Sequence, residues 1–275
     1  MSFFANFEYS DLKLGIFVKK TINLLINITM IPREISGQVI FAGAKWSTVM
    51  DNVKKYWDQG MFITDFDYGG GVYVVVMSKV KGWNGQAIRH GSTLPVDAIS
   101  ELWDKNYYLT NALYDGQDWV VVMTGVDYCS GQSYFTHTSW TEFTDNINQG
   151  WEDDKVVTKL CCEIKPSYNK YFAIMTRFRD CSPAQSRRYL KGRLLIQDLE
   201  SMCVDGKYIV DVFDFDGGAF VVTAGKTGWD TCKVVKSRDF STLLEKVKNY
   251  WDKDYYITTI TFYESEWFAV LGKKS

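Results

Sequence analysis

Histidine and cysteine are common proton-transfer and nucleophilic residues, and this chain has two histidines and six cysteines. The only histidines, His90 and His137, occupy similar places in neighbouring stretches, where a pair could bind a metal or move a proton. Other copies of this stretch hold Leu190, Lys236 or Gly43 near that place, so no ring of ligands is expected. The histidines therefore predict neither a metal site nor an acid–base reaction.

Thiol chemistry could come from six cysteines, which are Cys129, Cys161, Cys162, Cys181, Cys203 and Cys232. None forms a C-x-x-C pair, and adjacent cysteines such as Cys161 and Cys162 rarely clamp zinc. Cys129, Cys181 and Cys232 fall in one inter-strand loop of successive repeats, where they could converge. Filling of small gaps is the favoured interpretation, because free cysteine behaves mainly as a small apolar residue. Reduced thiols in a cytoplasmic or nuclear protein are expected, with no cofactor.

A thiol enzyme is one alternative. Rings built of strands and helices include guanidine-modifying enzymes, which need a cysteine, a histidine and two carboxylates in a central cavity. Asp211, Asp214 and Asp216 could supply the carboxylates and His137 the base, but no spacing couples them to a particular cysteine. Asp214 and Asp216 also fit a turn, because a Gly-Gly pair follows them.

An internal repeat supplies the elements that must position these residues. A tryptophan at the end of a helical pattern precedes a strand at Trp57, Trp103, Trp151 and Trp251, and Cys203 takes this place in one copy. By subtraction, successive positions lie 46, 48, 52 and 48 residues apart. A repeat of this length predicts a solenoid, a propeller or an array.

Each copy is predicted to contain three strands and one helix. In the third copy, Tyr107–Tyr114 and Trp119–Thr124 flank an Asp-Gly turn, and Gln132–Thr138 is a more polar third strand. Apolar residues then recur at steps of three and four, at Trp140, Phe143, Ile147 and Trp151. This spacing lines one face of a helix.

We therefore predict one domain over residues 1–275, of mixed β structure with short helices and a six-fold repeat. The predicted copies are 10–57, 58–103, 104–151, 152–203, 204–251, and 252–275 together with 1–9. The last copy lacks a third strand, and the alternating stretch Phe3–Tyr9 could supply it. Pairing of the termini would close a propeller-like ring without exposed sheet edges, whereas an open α/β array would leave one edge uncovered.

Composition and charge exclude some partners. The net charge of −2 gives no concentrated basic face for nucleic acid or an anionic membrane. The apolar run Ile22–Ile31 is too short to span a bilayer and contains two asparagines. No secretory signal pattern is expected at the N-terminus. The oligomeric state stays open.

One family carries a similar motif. The motif joins V-V-M-S/T, a loop with glycine and an aromatic residue, a glutamine, and W-x-x-x-Y-Y-I-T. Its residues here are Val74–Ser78, Gly82, Trp83 and Gln86; Val120–Thr124, Tyr128 and Gln132; Trp103, Tyr107, Tyr108 and Thr110; and Trp251 and Tyr255–Thr258. The pattern, from Trp57 to Leu271, resembles the repeat region that follows the kinase domain in plant casein-kinase-I-like proteins. That region is a non-catalytic appendage, so the resemblance implies a binding or scaffolding role. Kinase activity is not implied, because the Gly-rich loop, H-R-D and D-F-G motifs are missing.

The inter-strand loop is the predicted binding site. Trp83, Tyr128 and Trp229 lie in this loop, and Gln86 and Gln132 follow the first two of them. Exposed rings would offer stacking or anchoring surfaces for a peptide, a sugar or a base, whereas packing on the neighbouring unit is the competing interpretation. The repeated glutamines, Gln38, Gln86, Gln132 and Gln185, are predicted to hold loop backbone through their amides.

We therefore predict a non-catalytic scaffold module that binds a protein or peptide partner through inter-strand loops on one face. A lectin-like module that binds a carbohydrate or another small ligand is the alternative, and a cysteine-dependent enzyme with a site at the ring centre is the third hypothesis. No metal, cofactor, nucleic-acid or membrane partner is predicted.

Overall fold

The computed structural model describes residues 35–165, 167–179, 184–204, 207–215, 218–225 and 229–274. In these ranges the chain forms five three-stranded antiparallel sheets and five helices. The first two units are β1 (Ile35–Gly43), α1 (Trp46–Trp57), β2 (Phe62–Gly69) and β3 (Val72–Val80), then β4 (Trp83–Gly91), α2 (Val96–Trp103), β5 (Tyr107–Tyr114) and β6 (Trp119–Val126). The third is β7 (Cys129–His137), α3 (Trp140–Glu152), β8 (Val156–Lys165) and β9 (Tyr168–Phe178). The last two are β10 (Gln185–Lys191), α4 (Ile196–Met202), β11 (Lys207–Phe215) and β12 (Gly218–Gly225), then β13 (Trp229–Ser237), α5 (Phe240–Trp251), β14 (Tyr255–Tyr263) and β15 (Glu266–Lys274).

Every unit folds into its own sheet with the same strand order. The third strand lies in the middle, between the first, which we call the outer strand, and the second, which we call the inner strand. The middle strands have long apolar runs, as expected of strands covered on both faces, and β6 is buried along its whole length. The helix carries the chain from the outer to the inner strand.

The inner strands are in contact with one another. They touch in the order β2, β5, β8, β11 and β14, and β14 also touches β2. Each inner strand has a bulge at the same place, immediately before Asp65, Asn111, Lys159, Asp211 or Thr259. A bulge redirects the side chain beside it, so one polar residue from each unit can point away from its own sheet.

The apolar core is divided among the interfaces between neighbouring sheets. In α3, Phe143 and Ile147 are fully buried, as the predicted helical stripe requires, and they share a cluster with Phe220 of the next unit. Ser139 caps the N-terminus of this helix, and its hydroxyl accepts a hydrogen bond from Glu142 N. Helix burial therefore ties each unit to its neighbour.

The mixed β structure with short helices is confirmed, but the division into copies differs from the prediction. Each predicted copy ends with the strand and helix that begin the next sheet, because a repeat period does not reveal where the structural unit starts. The described residues form five sheets, and β13 already completes the last one. Residues 252–274 of the sixth predicted copy form β14 and β15 of this sheet, whereas its strand at Phe3–Tyr9 lies outside the described residues, as do positions 10–34 of the first predicted copy. None of the described helices has the length and apolar character needed to cross a membrane.

Candidate functional site: an inner-strand pocket above a buried ionic cluster

Gln86, one of the predicted binding residues, joins two neighbouring sheets. Its Oε1 accepts hydrogen bonds from Trp57 Nε1 (3.1 Å) and Ile63 N (2.8 Å). Its Nε2 donates to Ile63 O (3.0 Å) and to Thr124 Oγ1 (2.9 Å). The amide thus satisfies both backbone groups of Ile63 beside the bulge of β2, and we call this arrangement a Trp–Gln junction.

The same junction occurs at three more places. The pairs are Gln132 with Trp103 and Leu109, Gln185 with Trp151 and Val157, and Gln38 with Trp251 and Ile257. Gln38 belongs to the first unit and Trp251 to the last, so this junction joins the first unit to the last. The predicted backbone-holding role of the glutamines is confirmed, but the backbone belongs to a neighbouring inner strand rather than to a loop.

A disulfide replaces the junction between the fourth and fifth units. Cys203 stands in the tryptophan position and Cys232 in the glutamine position, and they form a disulfide with a Cα–Cα distance of 5.8 Å. The expectation that all cysteines are reduced is therefore wrong for this pair. The sequence did contain a signal for this bond, since both positions of one junction hold cysteine. That signal is visible only when the tryptophan and glutamine positions of neighbouring units are aligned. The cytoplasmic or nuclear location stays a prediction, and such disulfides are typical of oxidising compartments.

Two aromatic residues of the predicted loop site, Trp83 and Trp229, are buried, and the third, Tyr128, is partly buried. Trp83 is 8% exposed and donates from Nε1 to the Tyr128 hydroxyl at 2.7 Å, and its ring packs on Phe62. Trp229 is 3% exposed. Ligand binding by Trp83, Gln86, Tyr128, Gln132 and Trp229 stays a prediction, but these contacts leave little ring surface for a sugar or peptide.

The two histidines lie on separate outer strands. His137 Nδ1 is 3.3 Å from a Glu142 oxygen, and its Nε2 contacts Asn146 Nδ2 at 2.8 Å. His90 Nε2 is 3.4 Å from Asp118 Oδ2, and its ring stacks on Trp46. The alternative that pairs His137 with carboxylates at the centre is therefore not assembled in the described part.

One group among the described residues could hold a metal ion, formed by His90, Asp115 and Asp118, whose ligand atoms lie within 4.8 Å of one another. Asp115 is already engaged by the Tyr73 hydroxyl and by two backbone N–H groups of its own turn. Metal binding would have to displace the Tyr73 contact or use the remaining capacity of that carboxylate.

The described free thiols are not activated. Burial raises the pKa of Cys129 and of Cys162 to about 12, and burial also raises the pKa of Cys161 well above its ordinary value. These thiols are therefore protonated near neutral pH and are weak nucleophiles. Cys129 and the disulfide-bonded Cys232 pack in different apolar clusters, so they do not converge, and Cys181 lies outside the described residues.

A buried ionic cluster lies where the inner strands meet. Its five members each follow the bulge of one inner strand, and we call them the inner-strand cluster: Asp65, Asn111, Lys159, Asp211 and Thr259. Lys159 Nζ lies 3.1 Å from Asp65 Oδ1 and 3.1 Å from Asp211 Oδ1. The side chains of these three charged residues are at most 9% exposed. The sequence signal was a polar residue at the same strand position in every copy.

The carboxylates of this cluster also bind the backbones of neighbouring units. Asp65 Oδ2 accepts a hydrogen bond from Ile260 N (2.7 Å), and Asp211 Oδ2 accepts one from Leu160 N (2.6 Å). Asp67, two residues after Asp65, accepts one from Phe262 N (2.8 Å). These bonds connect inner strands that share no sheet hydrogen bonds.

One ammonium group faces three carboxylates in this region. Burial raises the pKa of Asp67 and of Asp211 to about 6, although Lys159 opposes the shift. Burial works against the charge of Lys159, but Asp211, Asp65 and Asp67 together hold its pKa above the ordinary value. The lysine is therefore charged at neutral pH, and the surroundings keep an excess of negative charge.

A pocket of 210 Å³ opens at the carboxyl ends of the inner strands. Every inner strand contributes to its wall, and one residue from each is Asp67, Tyr114, Cys161, Phe213 and Thr261. We call it the inner-strand pocket. It combines aromatic rings, a partly exposed carboxylate and protonated thiols, which can bind a ligand but provide no activated nucleophile.

No protein-family model matches the chain, and comparison with curated proteins gives no match. The resemblance to the repeat of plant casein-kinase-I-like proteins therefore stays a prediction.

Proposed function

We propose that this protein is a non-catalytic interaction module whose inner-strand pocket receives part of a protein or peptide partner. The observation that carries the proposal is the composite wall of this pocket, to which all five inner strands contribute. A concave site with aromatic walls and a few polar groups is the usual form of a ligand site. The proposed contact face is therefore the pocket and its hairpin rim rather than the Trp83 and Tyr128 loops.

We further propose that the five sheets close into a propeller-like ring. Support comes from the first and last units: Gln38 forms a Trp–Gln junction with Trp251, and Val74 shares an apolar cluster with Val247. Close packing of inner strands adds support, because a Cβ atom at Gly69 would lie 2.0 Å from the Phe262 ring. A closed ring would explain how one pocket can draw on every unit.

The chemistry of the pocket favours binding over turnover. Its cysteines, Cys161 and Cys162, have raised pKa values, and both histidines lie on outer strands. The carbohydrate alternative relied on Trp83 and Trp229, whose rings are buried. A peptide needs only one side chain to enter a small pocket while the rest lies on the rim.

The rim offers an apolar anchor for such a partner. Ile164 lines the pocket and is 60% exposed, and Tyr168 of the same hairpin is also exposed. Exposed apolar side chains next to a pocket are typical of protein contact sites.

A peptide-display selection on the whole protein tests this function. We expect enriched peptides whose affinity falls about tenfold in Ile164→Gln, because an apolar anchor contributes about 1.4 kcal/mol. Val204→Gln is the matched control, since Val204 is 53% exposed and does not line the pocket, and it should bind normally. Failure to enrich any peptide, or equal losses in both variants, would contradict the proposal.

A further inference from the structure

We infer that the inner-strand pocket selects a cationic side chain of the partner, a lysine or an arginine. This inference rests on the proposed function and adds the chemical class of the group that enters. Four features carry it: an excess of carboxylates, aromatic walls, a cation already held at the rim, and the small size of the pocket.

The carboxylates outnumber the cations beside the pocket. Lys159 is shared between Asp65 and Asp211, each at 3.1 Å. Asp67 accepts hydrogen bonds from Tyr68 N and Phe262 N, both at 2.8 Å, and in the described ranges no cationic side chain lies within salt-bridge distance of it. A carboxylate can accept about four hydrogen bonds, so Asp67 has capacity for an incoming N–H donor. Its pKa of about 6 leaves it mostly ionised near neutral pH.

The walls suit a cation as well. Tyr68, Tyr114, Phe213 and Phe262 line the pocket, and aromatic rings attract a desolvated cation through their quadrupoles. The ring of Tyr114 already holds a cation of this chain, because Lys165 Nζ lies 4.7 Å from its ring centroid. The rim is thus a place where a lysine is held against a ring.

Pocket size restricts the ligand to a single side chain. Its 210 Å³ is smaller than the roughly 300–1,000 Å³ of sites that enclose drug-sized ligands.

An anion would face the carboxylate excess, since the charge of Lys159 is already shared between Asp65 and Asp211. A metal ion is disfavoured, because the metal-competent group of the described part, His90, Asp115 and Asp118, contains no residue that lines the pocket.

The test uses amide chemical shifts of the whole protein, read at Tyr68 and Phe262, whose N–H groups bind Asp67. The probes are the N-acetyl methylamides of lysine, arginine and norleucine, which is close to lysine in shape but has no charge. We expect saturable shifts with lysine or arginine up to about 10 mM, since a single side-chain contact gives millimolar affinity. Norleucine should bind at least tenfold more weakly.

Two variants locate the effect. Asp67→Asn should weaken the cationic probes at least tenfold, and Tyr114→Leu should weaken them severalfold while leaving Asp67 in place. Asp118→Asn changes a carboxylate that does not line the pocket, and this variant should bind as the wild type does. An unchanged amide spectrum elsewhere shows that each variant is folded.

The outcomes separate the two proposals. If displayed peptides bind at the pocket but norleucine matches lysine, or no probe shifts these amides, the cation inference is wrong and the binding function stands. If the cationic probes bind through Asp67 and no peptide is enriched, the cation selectivity of the pocket stands and the partner function is wrong.

Discussion

The Trp–Gln junctions and the inner-strand cluster both recur once per unit, but they differ in how strictly the repeat is kept. Four junctions use the same two residue types and nearly the same hydrogen bonds. The inner-strand cluster has Asp, Asn, Lys, Asp and Thr at its five positions. A junction involves only two neighbouring units, so every pair of units can use the same two residues. The cluster brings all five positions together, and five identical charges there would repel one another.

The disulfide junction extends this comparison. Cys203 and Cys232 replace both partners of one junction, so the connection changes its chemistry but not its place. Junction residues can therefore be exchanged as pairs, whereas cluster residues depend on the charge of the whole set. Four predictions separate these two kinds of position.

The largest effect is expected at the cluster. Lys159→Met should lower the free energy of unfolding by about 3–5 kcal/mol, because it leaves buried carboxylates without their counter-ion. Denaturant unfolding measures the change. Lys105→Met, which removes the partner of Glu101 in an exposed ion pair, should have little effect. Similar losses in both variants would show that the cluster is not specially dependent on its lysine.

The disulfide junction comes next. Cys203→Ala combined with Cys232→Ala should cost about 3 kcal/mol, since the bond closes a loop with a sequence separation of 29. Cys203→Trp with Cys232→Gln should recover part of this loss by installing the junction of the other units. Its unfolding should also be insensitive to reductant, unlike that of the wild type. If the variant with Cys203→Trp and Cys232→Gln is no more stable than the variant with both alanines, the two junction types are not interchangeable.

A single Trp–Gln junction should matter less. Gln132→Ala should cost about 2 kcal/mol, because it removes hydrogen bonds to Leu109 and to the Trp103 indole. Gln185→Ala should cost less. Gln132 has a fourth hydrogen-bond partner in the Thr176 hydroxyl, whereas the residue opposite Gln185 is Ala224, which has no side-chain hydroxyl. Thermal unfolding of both, with exposed Gln149→Ala as the control, tests the order. The reverse order would contradict this account of the fourth bond.

The last prediction is a pH dependence at Asp67, which faces Lys159, Asp65 and Asp211, with Asp214 also at the pocket. Its folded pKa of about 6 lies above the ordinary 3.8, so between these values only the folded state keeps the proton. The stability of the wild type relative to Asp67→Asn should therefore fall as pH rises through this window, by at most about 1.4 kcal/mol per pH unit. Urea unfolding at several pH values measures this difference, and a flat difference would refute the raised pKa.

Local patterns predicted most elements of the fold. Strand β5 was expected at Tyr107–Tyr114, where it lies, and the stripe from Trp140 to Trp151 became α3. Such patterns depend on neighbours two to four residues away, which the sequence displays directly. The candidate site was harder to predict, because Trp83 and Tyr128 carry the signature of a binding loop but are hydrogen-bonded to each other in one apolar cluster.

The sequence by itself determined the repeat, its strands and helices, and the structural use of the glutamines. Tertiary structure alone decided where each unit begins, which cysteines meet, and that Lys159 lies between Asp65 and Asp211. The reason is distance along the chain: Asp65 and Lys159 are 94 residues apart. No local periodicity links them, and the charge of each has a partner only once the inner strands have assembled.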